Sequence, residues 1–326
     1  MLSFVTIVYT NDAPMLELQA RSMARFVDPA QVASIQVIIN DVDPVSVARK
    51  VERILPAYGP LRDKVVVQDG DDLLLGPECC ARRSLADRVL LENRHRLPFI
   101  AKGGWHGNNG YRMQQVLKLA SARGAASEQM VILDTKNLFL RPVSPADFFD
   151  PAGPARLSFL EVTSDYHRNW FAASLEALDV PAGPTARTTT FATPFPVRRS
   201  LILGVLEQIN ARYGSVQALF GSRRRPSEFM LMNAWCRQDP QGYAPWFTPA
   251  TPLNIGLWPN YDAERLAGLV AQLEDPQALS LGLHNRAVAG MPVPVRDKIL
   301  QALEQRGICD ASTFQRVLDE TAHRTG

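Results

Sequence analysis

An acid and a cation, Asp134 and Lys136, stand two residues apart where the apolar run Met130 to Leu133 ends, in the segment Val131-Ile132-Leu133-Asp134-Thr135-Lys136. The run reads as a buried strand, so the two charges emerge together at its carboxyl end. A carboxylate there can hold a divalent cation, and a lysine can meet phosphate oxygens directly. Either answers the negative charge that develops on a diphosphate as it leaves an activated sugar. An ammonium about 4 Å from a phosphate oxygen contributes about 4 kcal/mol at an effective dielectric near 20, before its own desolvation is subtracted. The competing explanation is a polar turn that closes a buried strand.

Other residues of the right chemistry are spread along the chain. Tyr9 closes the first apolar strand, and Thr10, Asn11 and Asp12 come directly after it, suited to a nucleotide or to an Asx-type turn. Gly103-Gly104-Trp105-His106-Gly107-Asn108-Asn109-Gly110 is a loop whose side chains suit a sugar, with Trp105 able to stack on a sugar face. It matches neither the phosphate-binding loop nor the dinucleotide fingerprint. Gln115 and Lys118 lie on one face of the next helix. Ser227-Glu228, after Pro226, is good helix-start chemistry, and Glu228 is also placed to bind an acceptor hydroxyl or take its proton. Arg223-Arg224-Arg225 is a solvated run or a draw for a phosphorylated acceptor. His284 and Arg286 come after the apolar Leu279 and Leu281, as a candidate ligand and a candidate phosphate contact.

The elements that must position these residues alternate. Phe4 to Tyr9 reads as a strand, Met15 to Phe26 as an amphipathic helix and Ile35 to Ile39 as a strand ending at Asn40-Asp41. This β-α-β opening predicts a parallel sheet with packed helices. Beyond it lie a helix over Val45 to Leu55, a strand over Lys64 to Gln68 and a helix over Leu85 to Leu97 stopped by Pro98. Next come a helix over Tyr111 to Ala122, the strand to Leu133, a strand around Leu157 to Val162 and a helix near Asn169 to Leu178. Thr188 to Pro196 is Thr/Pro-rich, Leu201 to Tyr213 and Ser227 to Cys236 read as helices, and two more helices lie beyond Pro292. Ligands of open parallel sheets gather beyond the carboxyl ends of strands. If the strands are neighbours, Thr10 to Asp12, Asn40-Asp41 and Asp134 to Lys136 therefore share one rim.

Composition narrows the partners. With 326 residues, 46% of them hydrophobic, the chain can bury a large core. Its 35 Lys and Arg against 33 Asp and Glu leave a formal charge of +2, and without interleaved aromatics nothing points to nucleic acid. Four cysteines, two of them adjacent at Cys79-Cys80, make neither a disulfide framework nor a zinc motif. No apolar run reaches the roughly 18 residues of a membrane span. The expected location is the cytoplasm, with a peripheral position at the inner membrane compatible with a membrane-associated acceptor.

The segment Val131 to Lys136 resembles the position of the Asp-x-Asp motif in glycosyltransferases of the GT-A fold. More closely, five segments taken in order resemble a bacterial family of glycosyltransferase-like proteins of largely uncharacterised function. They are Val5-Thr6-Ile7-Val8-Tyr9, Gly104-Trp105 with Gln114-Gln115 and Lys118, Asp134-Thr135-Lys136-Asn137, Ser227-Glu228-Phe229 and Gly282-Leu283-His284, and the likeness spans roughly residues 3 to 290. The resemblance implies a GT-A-like, Rossmann-related α/β fold with a mostly parallel sheet flanked by helices over residues 1–290, and a helical C-terminal extension over 291–326 packed on it. It implies a nucleotide-sugar donor held by Tyr9, Thr10, Asn11, Asp12, Trp105, Gln115, Lys118, Asp134, Lys136, His284 and Arg286. A glycan or a phosphorylated or lipid-linked acceptor would meet Arg225, Ser227 and Glu228, with catalytic roles for Glu228, Lys136 and Asp134. The likeness departs at Lys136, where the motif's second acid would stand. A charged lysine cannot ligate a metal, so Mn2+ or Mg2+ would rest on Asp134 and His284, or no metal is needed and Lys136 substitutes for it. The expected function is glycosyl transfer, in bacterial surface polysaccharide synthesis by analogy. The alternative is a non-catalytic sugar-nucleotide-binding protein that has lost the metal motif.

Overall fold

The computed structural model describes residues 1–41, 43–75, 110–183, 187–222, 224, 226–284, 287 and 290–322. The chain opens with strand β1 (Leu2–Val8), helix α1 (Ala13–Phe26), β2 (Val32–Ile39), α2 (Pro44–Ile54), β3 (Val65–Asp69) and the short α3 (Gly70–Leu75). Helix α4 (Gly110–Ala120) leads into β4 (Gln129–Asp134) and β5 (Asn137–Phe139). Every residue of β1 is buried, as expected of a strand covered on both faces by helices.

The remaining described elements are α5 (Pro145–Phe148), β6 (Ala155–Leu157), β7 (Phe159–Glu161), α6 (Asp165–Leu178), β8 (Arg187–Thr189), β9 (Phe195–Arg198), α7 (Arg199–Tyr213), α8 (Val216–Gly221), α9 (Glu228–Cys236), β10 (Phe247–Pro249), β11 (Asn254–Leu257), α10 (Ala263–Ala271), β12 (Ser280–Leu283), α11 (Val293–Gln305) and α12 (Ala311–Ala322).

The main sheet runs β3-β2-β1-β4-β9, parallel except for β9, which pairs antiparallel with β4. This is the mixed α/β fold, with a mainly parallel central sheet, that the alternation of elements predicts. The chain builds outward from β1 to β3 on one side and then returns to place β4 on the other. The direction of winding therefore switches between β1 and β4, where their carboxyl ends leave a crevice. Register aligns Val8 with Ile39, Ile39 with Asp69, and Ile7 with Asp134, so these strands end on a common rim.

Two expectations change. The single strand around Leu157 to Val162 is two short strands in different sheets, β6 pairing with β10 and β7 with β8. The Thr/Pro-rich stretch supplies β8 and β9, and β9 takes Pro196 opposite Val131 because it is an edge strand, where a missing N–H is tolerated. The helix expected over Leu85 to Leu97 lies outside the described residues.

One apolar core surrounds the main sheet. A second joins Met15 and Leu18 of α1 to Leu138, β11, β12, α10 and the last two helices through Ile299, Leu303, Phe314 and Val317. Helix α1 is shared: Leu16, Ala20 and Met23 face the first core. A fully buried Leu or Met side chain such as Leu16 or Met23 contributes about 1.5–3 kcal/mol relative to exposure. The last helix thus packs against α1, where Arg316 of α12 also reaches Glu17 at 2.8 Å, and α11 packs on α10 and α12. Among the described residues, no helix is long and apolar enough to cross a membrane.

Candidate active site

Asp134 ends β4 at the crevice, and the turn after it is held from three sides. Gln19 of α1 accepts from Thr6 Oγ1 at 2.9 Å and donates Nε2 to the backbone oxygens of Asp134 and Asn137, at 2.7 and 3.2 Å. Asn137 Oδ1 accepts from Asp134 N at 2.7 Å, while its Nδ2 donates to Thr193 O at 3.2 Å. Leu283 N of β12 donates to Lys136 O at 2.9 Å. A polar helix residue buried under a strand end is costly unless bonded, and Gln19 uses both ends of its amide, Oε1 on β1 and Nε2 on this turn.

The Asp134 carboxylate sits between two cations. Lys118 Nζ of α4 lies 3.0 Å from Oδ1 and Lys136 Nζ lies 3.1 Å from Oδ2. Gln114 Nε2 donates to Oδ1 at 3.3 Å and Thr193 Oγ1 to Oδ2 at 3.0 Å. Lys118 also reaches Glu228 Oε1 at 3.2 Å and lies over the Phe229 ring at 5.1 Å. Burial alone would push the Asp134 carboxyl up, but the Lys118 and Lys136 charges outweigh it and hold it far below the usual carboxylate range. Lys118 likewise keeps its proton more tightly than usual, because Asp134 and Glu228 overcome its desolvation. Burial pushes Glu228 up, with Lys118 offsetting only part of that rise. Asp12, at the start of α1, makes no side-chain capping bond to its own helix. Desolvation and the Asp134 charge push it up to about 6, against the opposing pull of Lys136 and hydrogen bonds from Thr135 and Tyr9.

The neighbouring strand ends complete the rim. Thr10 N donates to Asp41 Oδ2 at 2.8 Å, Lys50 Nζ donates to Thr10 Oγ1, and Asn40 Nδ2 donates to Gly110 O at 2.8 Å. Asn11 is half-buried beside them and Tyr9 is exposed. On the far side Lys136 Nζ lies over the Trp258 ring at 4.3 Å, and His284 also packs against Trp258 with ring centroids 5.7 Å apart. Trp258 lies across Gly256, where an added Cβ would come within 3.0 Å of its Nε1.

A divalent ion does not fit these donors. Both oxygens of Asp134 already accept from ammonium groups, whose charge repels a cation. Among the described residues, no three of His, Cys, Asp and Glu come together to hold a metal. The site's cationic character comes from lysine.

The structure gathers Asp12, Lys118, Asp134, Lys136 and Glu228 into one network and links His284 to it through Trp258. Glu228 is only 4% exposed and Ser227 is buried, with the Ser227 hydroxyl accepting from Met230 N at 3.4 Å. The sequence offers both as a helix start or as acceptor contacts; in the structure Glu228 takes part in a buried ion pair and Ser227 caps a helix. The sequence places Gln115 at the donor; Gln115 is buried, and its Oε1 has no hydrogen-bond partner among the described residues. Its neighbour Gln114 is the one that reaches Asp134. Trp105, Arg225 and Arg286 lie outside the described residues. Gln19, Thr193 and Trp258 carry no local motif, and their part in the site comes only from folding.

A ring cluster borders this network. Tyr111 and Trp170 stack at 6.3 Å, Tyr166 lies 4.4 Å from Trp170, and His167 lies 4.3 Å from Phe191. Burial, then the Glu228 charge and those of Tyr166 and Asp134, push the Tyr111 hydroxyl up.

Residues 2–239 match the model of a family of unknown function, DUF6492. The chain belongs to this family. No curated protein sequence matches this DUF6492 member. Among solved structures, it is similar to the galactosyltransferase LgtC in complex with donor and acceptor sugar analogues, at 12% identity and a TM-score of 0.46 over 94% of this chain and 100% of that one. It is similar to the bifunctional glycosyltransferase WbbM at 12% identity and a TM-score of 0.46, over 98% of this chain and 51% of that one. Mouse xyloside xylosyltransferase 1 is similar at 11% identity and a TM-score of 0.44, over 87% of this chain and 97% of that one. At this level of likeness, what the DUF6492 member does must be argued from its own rim.

Proposed function

We propose that this protein is a glycosyltransferase that moves a sugar from a nucleotide-activated donor to a glycan or a phosphorylated or lipid-linked acceptor, with surface polysaccharide synthesis as its setting. The observation that carries this reading is the pair Asp134 and Lys136 at the winding switch between β1 and β4, the place where open α/β sheets bind nucleotides. The nucleotide lies along Tyr9 to Asp12, and its diphosphate faces Lys136. As the bond between the sugar's anomeric carbon and the diphosphate breaks, the diphosphate leaves with the electron pair and Lys136 meets its charge. The oxygen of an acceptor hydroxyl forms the new bond to that carbon, and its proton is released to solvent. Asp134 holds Lys118 and Lys136 in place, and Glu228 positions Lys118 from the other side. No step is routed through a metal.

The test is thermal shift of the wild-type protein against UDP, GDP, CDP and ADP, with manganese or with a chelator, and then release of nucleoside diphosphate from sugar donors of any base that binds. Stabilisation of about 2.7 kcal/mol is expected at a hundredfold excess over the dissociation constant, unchanged by the chelator. Lys136→Ala should abolish turnover. If none of the four nucleotides stabilises the protein, the reading is wrong. A second reading, binding of a sugar nucleotide without transfer, is favoured by one observation: the Asp134 carboxylate is fully engaged by its neighbours. Stabilisation without donor breakdown in the presence of candidate acceptors would select it.

A further inference from the structure

The ring cluster beside the charge network is a feature the proposed reaction has not used. Tyr166, His167 and Trp170 lie in the first two turns of α6, whose N-cap Ser164 accepts from His167 N. Tyr166 and Trp170 are four apart and so lie side by side on one face. His167 meets both of them, at 5.5 and 5.6 Å, and extends the rings to Phe191 at 4.3 Å. Tyr111 adds a ring from α4, nearly parallel to Trp170 at 30°. Large aromatic surfaces are ordinarily buried, yet Tyr111 is 51% exposed and Tyr166 is 60% exposed.

Two stretches of chain tie this surface to Asp134 through polar contacts. Tyr111, Gln114 and Lys118 recur at helical spacing on one face of α4, and the latter two both contact the Asp134 carboxylate. Phe191 precedes Thr193 by two residues, and Thr193 donates to the same carboxylate. Tyr111 also lies close enough to Glu228 and Asp134 to sense their charges. The rings therefore begin where the charge network ends. Their chemistry is mixed: Tyr111 and Tyr166 present phenol hydroxyls, His167 an imidazole held at Nδ1 by Ser164 at 2.7 Å, and Trp170 an indole N–H. Such rings combine flat apolar faces with polar edges. A pyranose has the matching surface, one face of C–H groups bordered by hydroxyls, whereas a purely apolar partner would leave those edges unpaired.

We propose that Tyr111, Tyr166 and Trp170 form a carbohydrate-binding platform that seats the sugar ring of the acceptor against the charge network. This rests on the glycosyltransferase reading for the word acceptor, but the platform itself requires only carbohydrate. It also moves the acceptor site from Ser227 and Glu228, which are buried, to an exposed surface contiguous with them.

The experiment is saturation-transfer NMR on the full chain, irradiating aromatic protons, with the methyl glycosides of glucose, galactose, mannose and N-acetylglucosamine and with lactose and maltose as probes. The same samples are titrated by intrinsic tryptophan fluorescence. At least one probe is expected to show transfer strongest at the C–H groups of one ring face and to perturb the fluorescence saturably. Tyr166→Ala should weaken that binding about tenfold, the loss of one stacked ring, with the melting temperature held because the side chain is exposed. Trp170→Phe, which keeps a ring, should weaken it less than Trp170→Ala. No transfer to any probe, or transfer unaltered in Tyr166→Ala and Tyr111→Ala, would overturn the platform. The wild-type nucleotide shifts separate the two readings. Nucleotide binding without glycoside binding removes the platform and leaves the transferase, and glycoside binding at the rings without any nucleotide binding removes the transferase and leaves the platform.

Discussion

Lys118 on α4 and Asp134 at the end of β4 lie 3.0 Å apart, and each is further engaged, Lys118 by Glu228 and Asp134 by Lys136. The chain of alternating charges Glu228–Lys118–Asp134–Lys136 runs from a buried helix start to the rim. Its inner members are stabilised by one another, and Lys136 at its outer end can turn part of its charge toward a ligand. The same network that costs desolvation inside therefore presents a cation at the crevice.

Removing Lys118 should cost more than removing Lys136. Lys118→Met leaves the Glu228 carboxyl buried without a cation, and stability should fall by about 3 kcal/mol in urea denaturation. The double variant Lys118→Met with Glu228→Gln should recover part of that loss. A fall below about 1 kcal/mol would mean that the pair is effectively solvated.

Lys136→Ala separates binding from folding. The lysine is only partly buried and Asp134 keeps Lys118, so its loss should cost less stability than the loss of Lys118. Affinity for a bound nucleoside diphosphate should drop at least about tenfold, as the loss of a phosphate cation implies. Titration calorimetry at two ionic strengths checks this, since the wild-type affinity should weaken with salt more steeply than that of the variant.

The carboxyl of Asp12 gives a pH signature. Its pKa is raised from 3.8 to about 6 on folding, so the folded state holds this proton while the unfolded chain has already released it. Below 3.8 both states are protonated and Asp12 adds nothing; as pH rises from 3.8 to about 6 its contribution turns increasingly unfavourable, and above that the penalty is complete. The difference in unfolding free energy between Asp12→Asn and wild type should therefore grow in favour of the variant across that interval and level off above it. A difference independent of pH would show that folding does not raise the pKa of Asp12.

Gln115 tests structure against function at one position. Its buried Oε1 lacks a hydrogen bond, a situation worth about 1–3 kcal/mol, so Gln115→Met, similar in volume, should hold or raise the melting temperature. If the carbonyl exists to meet a ligand, nucleotide or glycoside affinity should fall while stability does not. Loss of both together would show that the side chain is packed in a way methionine cannot imitate.

Much of this architecture is written in local pattern. The alternation of apolar strands with amphipathic helices determined the parallel sheet, because strands covered on both faces must be nearly all apolar, as β1 and the middle of β4 are. Strand ends are chemically marked, so Asp134, Lys136 and Asp12 are legible as candidates from their places just beyond apolar runs. Ser227 is legible as a helix cap from its position alone, and the side chain performs that role. The family matched over residues 2–239 ends before β11 and β12, the elements that bring Trp258 and His284 to Lys136.

Only the tertiary structure decided which charges meet. Lys118 and Glu228 are 110 residues apart, and nothing in either segment announces the other; they pair because α4 and α9 pack together beneath the rim. Gln19 and Thr193 reach Asp134 across 115 and 59 residues for the same reason. The chain by itself determined which groups stand at the ends of strands, since periodicity and turn chemistry are local. Whether Asp134 has room for a metal depends on which cations fold against it, and that depends on long-range packing. Here two ammonium groups occupy its oxygens, and the acid and cation that stand two residues apart in the chain become neighbours at 3.1 Å.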